Sequence, residues 1–210
     1  MLSDEVDAVG EERPVIGAVL AGGQARRMGG GDKCLLPVLG RPILAHIVER
    51  LSPQCGYLLL NANGDPARFA AFGLPVVADE GENRAGPLAG LLAALDHAAA
   101  IRPQARDVLT VPGDTPFLPR DLRARLEAAR RETGAAIASA ASGGRTHPVV
   151  ALWPVGLRSD LRRALAEGER AVARFARRYP LAIAEWPAEP DPFHNVNTPG
   201  DLAAAESRGD

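Results

Sequence analysis

Val15-Ile16-Gly17-Ala18-Val19-Leu20 runs directly into Ala21-Gly22-Gly23-Gln24-Ala25-Arg26-Arg27-Met28-Gly29-Gly30-Gly31-Asp32-Lys33. An apolar run of strand length, closed by glycines, predicts a buried β-strand feeding a loop. From Leu20 to Lys33 the loop holds five of the chain's 22 glycines and three of its basic residues. Glycine permits close backbone approach, so successive amides can converge on phosphate oxygens, and arginine and lysine neutralise the charge. It is not a Walker A loop, because Lys33 stands between Asp32 and Cys34 rather than between Gly and Ser/Thr. The dinucleotide fingerprint fails too: Gly29-x-Gly31 is followed by Cys34 where a third glycine or alanine is needed.

Outward from this stretch, short aliphatic runs alternate with longer Ala/Leu/Arg segments. Strands are predicted at Val15 to Leu20, Tyr57 to Leu60, Val76 to Ala78, Val108 to Val111, Ala135 to Ser139, Val149 to Trp153 and Leu181 to Trp186. Helices are predicted from Pro42 to about Leu51, from Leu88 to Ala100 behind Pro87, and over Asp121 to Arg131. Alternation of this kind implies crossover units, hence an α/β fold with a mainly parallel sheet. In such sheets ligands bind beyond the carboxyl ends of the strands. Polar clusters follow four of the predicted strands: the glycine loop, Asn61-Ala62-Asn63, Asp79-Glu80, and Gly113-Asp114-Thr115-Pro116.

The 210 residues suit one domain, read as 15–207, behind a polar, aperiodic leader at 1–14 expected to be disordered. Net charge −2 argues against wholesale nucleic-acid binding, and no apolar run reaches the ~18 residues a bilayer span needs. With an acidic start in place of a signal sequence, the expected location is the cytoplasm. Two cysteines, Cys34 and Cys55, are read as free thiols. Of the 24 basic side chains 23 are arginine, and the single lysine, Lys33, closes the glycine loop. An ammonium is a compact point charge that fits between phosphate oxygens, whereas a guanidinium is a broad planar fork. The loop therefore reads as a triphosphate or pyrophosphate site in preference to a flexible surface loop with incidental charges.

The string LAGGQARRMGGGDK, continued by Leu35-Leu36-Pro37 and Gly40-Arg41-Pro42-Ile43, resembles the nucleotidyltransferase signature of molybdenum cofactor guanylyltransferases. Asn61-Ala62-Asn63, Gly86-Pro87-Leu88-Ala89-Gly90, Pro112-Gly113-Asp114-Thr115-Pro116, His147-Pro148 and Asn195-Val196-Asn197-Thr198-Pro199 extend it in order over nearly all of 15–205. The resemblance implies a three-layer Rossmann-like nucleotidyltransferase fold. It further implies transfer of GMP from magnesium-bound GTP to the phosphate of molybdenum-molybdopterin, with release of pyrophosphate. Carried onto this chain, Leu20, Ala21, Gly22 and Gly23 would run beside the nucleotide while Arg27 and Lys33 hold its phosphates. Asn61 and Asp79 would lie in the GTP pocket, the turn from Gly86 to Gly90 would enclose the base, and Asp114 would bind Mg²⁺. Gly23 looks like the guanine-type choice, since cytidylyl relatives commonly carry Leu-Ala-Ala-Gly. Proteins that deliver molybdopterin or mature molybdoenzymes are the partners such a role would bring. The same fold acting with CTP or another acceptor is the competing enzymatic reading, and a nucleotide-sensing module without catalysis is the non-enzymatic one.

The chemistry suits these residues. Joining a phosphate to the α-phosphorus of a triphosphate brings anions together, so positioning and charge neutralisation suffice and no protein nucleophile is needed. Mg²⁺ requires only one or two carboxylates plus substrate oxygens. Asp114 alone is otherwise an ordinary turn residue. Four of the five asparagines fall in Asn61-Ala62-Asn63 and Asn195-Val196-Asn197; an amide suits base, ribose or pterin recognition, though Asn also tolerates strand-end turns. Asn195, Asn197 and His147 are assigned to the acceptor side of the site. The seven arginines from Arg158 to Arg178 read as a solvated helix face rather than a partner surface, and Cys34 as a packing residue.

Overall fold

The computed structural model describes residues 15–22, 31–80 and 86–208. The expected leader at 1–14, and the loop positions Gly23 and Arg27, lie outside the described residues.

Strand β1 (Ile16–Leu20) is followed by a 3-10 turn at Lys33–Leu35 and a small ribbon of β2 (Pro37–Val38) and β3 (Arg41–Pro42). Helix α1 (Ile43–Leu51), β4 (Tyr57–Asn61), β5 (Val76–Val77) and α2 (Pro87–Ile101) come next. Then follow β6 (Asp107–Pro112), α3 (Leu122–Thr133), β7 (Ile137–Ser142) and β8 (Arg145–Pro154). Helices α4 (Arg158–Ala166) and α5 (Val172–Ala176), β9 (Leu181–Trp186) and α6 (Pro199–Glu206) complete the order.

Seven strands form one sheet in the order β5-β4-β1-β6-β8-β7-β9. Every neighbouring pair is parallel except those made by β8, which runs against both β6 and β7. The expected mainly parallel sheet is thus present. What the spacing of elements could not foresee is that β8 returns from β7 through Gly143 and Gly144, both at positive φ, as a hairpin rather than a crossover. The register slips between Ser139 and Ala140, a bulge in this pairing. Strand β8 is also longer than the expected Val149 to Trp153.

Alternation along β1 assigns its two faces. Val15 and Val19 pack with Ile43, Leu44 and Ile47 of α1 and Leu122 and Leu126 of α3. Ile16 and Ala18 pack with Leu88, Leu91 and Leu95 of α2, Leu161 of α4 and Phe175 of α5. The result is two cores on opposite faces of one sheet, the three-layer arrangement. Gly17 permits the close approach of β4 and of the segment before it: a Cβ there would fall 2.4 Å from Leu58 Cδ2 and 2.9 Å from Cys55 Sγ. Arg130 on α3 grips Asp107 at the start of β6 through two bonds of 2.6 and 2.7 Å, a two-pronged ion pair.

The arginine-rich segment forms α4 and α5 and is charge-paired as expected of a solvated face. Arg162 meets Asp96 at 2.6 Å, Arg163 meets Asp160 at 2.6 Å, and Arg174 and Arg178 flank Glu169 at 3.7 and 3.6 Å. No helix among the described residues is long and apolar enough to cross a membrane.

Candidate active site

Strand β1 ends zipped to both neighbours: Ala21 N donates to Asn61 O at 2.8 Å, and Gly113 N donates to Leu20 O at 2.9 Å. Gly113 is closely packed against β1, since a Cβ would sit 3.0 Å from Ala21 Cα. Beyond these strand ends opens a cavity of about 320 Å³, within the usual range for a small-molecule site. Leu20, Ala21, Gly22, Lys33, Asn61, Asp79, Gly86, Asp114 and Asn195 all contribute to its wall, so members of all four polar clusters meet there.

One wall is a cation and a carboxylate. Lys33 stands on the short turn after the glycine loop, with its Nζ 3.6 Å from Asp114 Oδ2. The same ammonium donates to Asn197 Oδ1, a partner 164 positions away. Both side chains of the pair are largely shielded, at 21% and 17% exposure. Asp114 Oδ1 is buried and has no hydrogen-bond partner among the described residues. Burial pushes the Asp114 carboxyl above the usual range, with the Lys33 charge pulling the other way. The strand-end turn is stapled to the Asn-Val-Asn string: Val196 N donates to Asp114 O at 2.9 Å, and Thr115 Oγ1 donates to Asn195 Oδ1 at 3.0 Å. That string is fixed in turn by the start of α6, where Thr198 and Asp201 form a reciprocal capping box.

The opposite wall is an amide-carboxylate cluster. Asp79 accepts from Asn61 Nδ2 on one oxygen and from Asn63 Nδ2 on the other, each at 2.8 Å, and its own N–H donates to Asn63 Oδ1 at 2.9 Å. Asn61 also donates to Val77 O at 3.1 Å. Gly90 makes this possible from the first turns of α2, since a Cβ there would lie 2.2 Å from Asn61 Oδ1. Gly86 starts the helix at φ 75° and ψ −165°, a conformation open only to glycine, with Pro87 in the first turn.

Three expected residues lie elsewhere than at the cavity wall. Gly90 acts from behind Asn61, and Asn197 reaches the site through Lys33. His147 packs against Phe193 with ring centroids 4.9 Å apart, and its Nε2 lies 2.7 Å from Ser142 Oγ. Burial holds the His147 imidazole below its ordinary pKa.

Asn63 joins Asn61 on Asp79 because positions two apart on extended chain share a side, and that spacing is the signal for it in the sequence. Pro87, within the expected turn from Gly86 to Gly90, and Val149, which no motif marks, supply apolar lining. Cys34 also lines the cavity, but burial pushes its thiol up to about 12, so it stays protonated and serves packing.

Among the described residues no group of three or more His, Cys, Asp or Glu side chains is placed to hold a metal. A divalent ion that keeps waters and shares phosphate oxygens needs less. Asp114 lines the cavity and has an oxygen without a partner among the described residues, which fits that lighter demand.

The model of the MobA-like NTP transferase domain matches residues 17–182. A protein of Rhodopseudomonas palustris (strain HaA2) named molybdenum cofactor guanylyltransferase is 63% identical over 190 residues, covering 90% of this chain and 89% of that protein. A protein of the same name from Bradyrhizobium sp. (strain ORS 278) is 59% identical over 194 residues, 91% and 92% of the two chains. Among solved structures, molybdopterin-guanine dinucleotide biosynthesis protein A of Archaeoglobus fulgidus shares the fold with a TM-score of 0.69 at 23% identity, covering 92% of this chain and 97% of its own. With the strand-end cavity and these relatives together, the chain belongs to the MobA-like NTP transferase family and is an enzyme of the nucleotidyltransferase type, among relatives named molybdenum cofactor guanylyltransferase.

Proposed function

We propose that this chain transfers GMP from Mg-GTP to the terminal phosphate of molybdenum-molybdopterin, forming the guanine dinucleotide cofactor and pyrophosphate. The observation that carries the reading is the arrangement of the cavity: a shielded ammonium and a carboxylate with an unpartnered oxygen on one wall, and the Asn61-Asn63-Asp79 cluster on the other. The names of the relatives point to the same reaction.

In this reading an oxygen of the acceptor phosphate attacks the α-phosphorus of GTP, a new P–O bond forms, the α–β bridge bond breaks, and its electrons leave with pyrophosphate. Lys33 neutralises the phosphates as they enter, exchanging its contacts with Asp114 and Asn197 for phosphate oxygens. Asp114 would hold Mg²⁺. Bound there, Mg²⁺ supplies charge neutralisation across the triphosphate. Gly22, and Gly23 and Arg27 beyond it in sequence, would line the phosphate path. Asp79, with both oxygens already steadied by amides, keeps lone pairs for the N–H donors on the Watson–Crick edge of guanine. Cytosine offers an acceptor at the corresponding ring position, so a carboxylate repels it. Asn195 at the cavity wall and Asn197 behind Lys33 would face the side on which the acceptor enters, in a cytoplasmic enzyme.

The test is pyrophosphate release with Mg²⁺, molybdenum-molybdopterin and each nucleoside triphosphate, alongside thermal shift. Ligand at 100 times its dissociation constant adds about 2.7 kcal/mol of stability. Release and stabilisation with GTP and not CTP support the proposal. A preference for CTP would make the chain a cytidylyltransferase, and GTP binding without release in the presence of acceptor would make it a sensor.

A further inference from the structure

Arg68 stands outside the cavity wall, on the 3-10 helix Pro66–Phe72, yet it touches both halves of the site. Its Nε lies 2.6 Å from Asp32 Oδ2, and a terminal nitrogen lies 3.2 Å from Asp32 Oδ1. That same nitrogen donates to the carbonyl oxygen of Asn63 at 2.6 Å. The guanidinium rests over the Phe69 ring, 4.8 Å from its centroid. Gly64, at φ 90°, clears the way: a Cβ there would fall 2.8 Å from the other terminal nitrogen.

Asp32 and Asn63 occupy informative places. Asp32 is the residue before Lys33 and holds the N-cap position of its turn, where an aspartate ordinarily accepts from the following backbone N–H groups. Here the carboxylate makes no such cap and turns to Arg68 instead. Asn63 holds Asp79. A single planar group therefore ties the residue beside the phosphate-side ammonium to the residue that fixes the base-side carboxylate. Arg68 lies at the surface, with its side chain 33% exposed and that of Asp32 17%, so the pair acts through its geometry rather than through the strength of a lone ion pair. The fork geometry is essential, because a lysine has no planar set of donors with which to hold a carboxylate and a carbonyl together.

We propose that Arg68 is a positioning residue that sets the spacing between Lys33 and Asp79, so that the triphosphate and the base of one nucleotide are engaged together. This rests on the reading that GTP spans the cavity from Lys33 to Asp79. Its test is a double-mutant cycle on Mg-GTP affinity, measured by titration calorimetry, with Arg68→Met, Lys33→Met and the pair. Residues that act through one another are non-additive. Arg68→Met is expected to weaken Mg-GTP binding about tenfold in the unaltered background and less than about twofold beside Lys33→Met. A role in general stability alone would lower the unfolding midpoint and leave this coupling at zero. Arg68→Lys, which keeps the charge and loses the second prong, should recover only part of the affinity. Equal weakening in both backgrounds, or none, overturns the proposal. If Arg68→Met does not fold, Asp32→Asn takes its place in the same cycle. A Lys33→Met variant that binds Mg-GTP as tightly as the unaltered chain would refute instead the reading of the cavity on which the proposal rests.

Discussion

Gly90→Ala separates local propensity from tertiary packing. On α2 by itself the change should stabilise, since alanine is favoured over glycine in a helix interior by about 1 kcal/mol. In the folded chain the new methyl would fall 2.2 Å from Asn61 Oδ1 and 3.0 Å from Asn61 Cγ, so the amide must move by more than an ångström. Asn61 is 3% exposed, and the only open space beside it is the cavity that it lines. Moving it breaks its bonds to Val77 O and Asp79 Oδ1. A neutral hydrogen bond contributes about 1 kcal/mol and one to a carboxylate about 1.5–3 kcal/mol, so the loss is about 2.5–4 kcal/mol against a gain of about 1. The expected net destabilisation is about 1.5–3 kcal/mol. Because Asp79 loses one of its two amide partners, Mg-GTP affinity should fall about tenfold or more. Urea denaturation of the ligand-free chain and calorimetric titration of Mg-GTP measure the two effects. Adding Asn61→Ala should remove the clash, so that Gly90→Ala costs little in that background. A Gly90→Ala chain that is about 1 kcal/mol more stable, as propensity alone demands, with unchanged GTP affinity, would refute the packing argument.

Two further substitutions probe the opposite wall. Asp114→Asn should reduce pyrophosphate release by about a hundredfold or more, while in chelator-treated protein near neutral pH its unfolding midpoint should match or exceed that of the unaltered chain. Burial raises the folded pKa of Asp114, so its contribution to stability is fully present below the unfolded value of about 3.9 and is lost as pH rises through the folded value. Replacing it should therefore remove a decline in stability across that window; a midpoint that drops at neutral pH would contradict the assigned cost of burial. Lys33→Arg keeps the charge and changes its shape, and kcat/KM for GTP should fall about tenfold or more. Normal turnover by that variant would show that charge alone mattered.

Much of the candidate site is legible in the amino-acid sequence. Asn61, Asp79 and Asp114 stand at or just after the ends of strand-like runs, Lys33 closes the loop after the first of them, and parallel strands bring their carboxyl ends to one edge. What local pattern did not carry is how these residues spend their hydrogen-bonding capacity. Asn61 reads as a nucleotide contact, yet its amide nitrogen is committed to Val77 and Asp79. Gly90 reads as part of a turn around the base, and in the fold it is the space that Asn61 fills. Arg68 was one arginine among 23 and had no periodicity or motif to distinguish it.

The amino-acid sequence by itself determined the alternation of strands and helices, the parallel bias of the sheet and the edge at which chemistry gathers. These follow from hydrophobic period, proline and glycine placement, and residue type, all of which act within a few residues of chain. Only the tertiary structure decided that β8 runs antiparallel, that His147 turns to Ser142 and Phe193, and that Asn197 meets Lys33 across 164 positions. Those outcomes depend on which elements pack side by side. Contacts between residues far apart in the chain are set by burial and pairing across the whole sheet, and no local spacing encodes them.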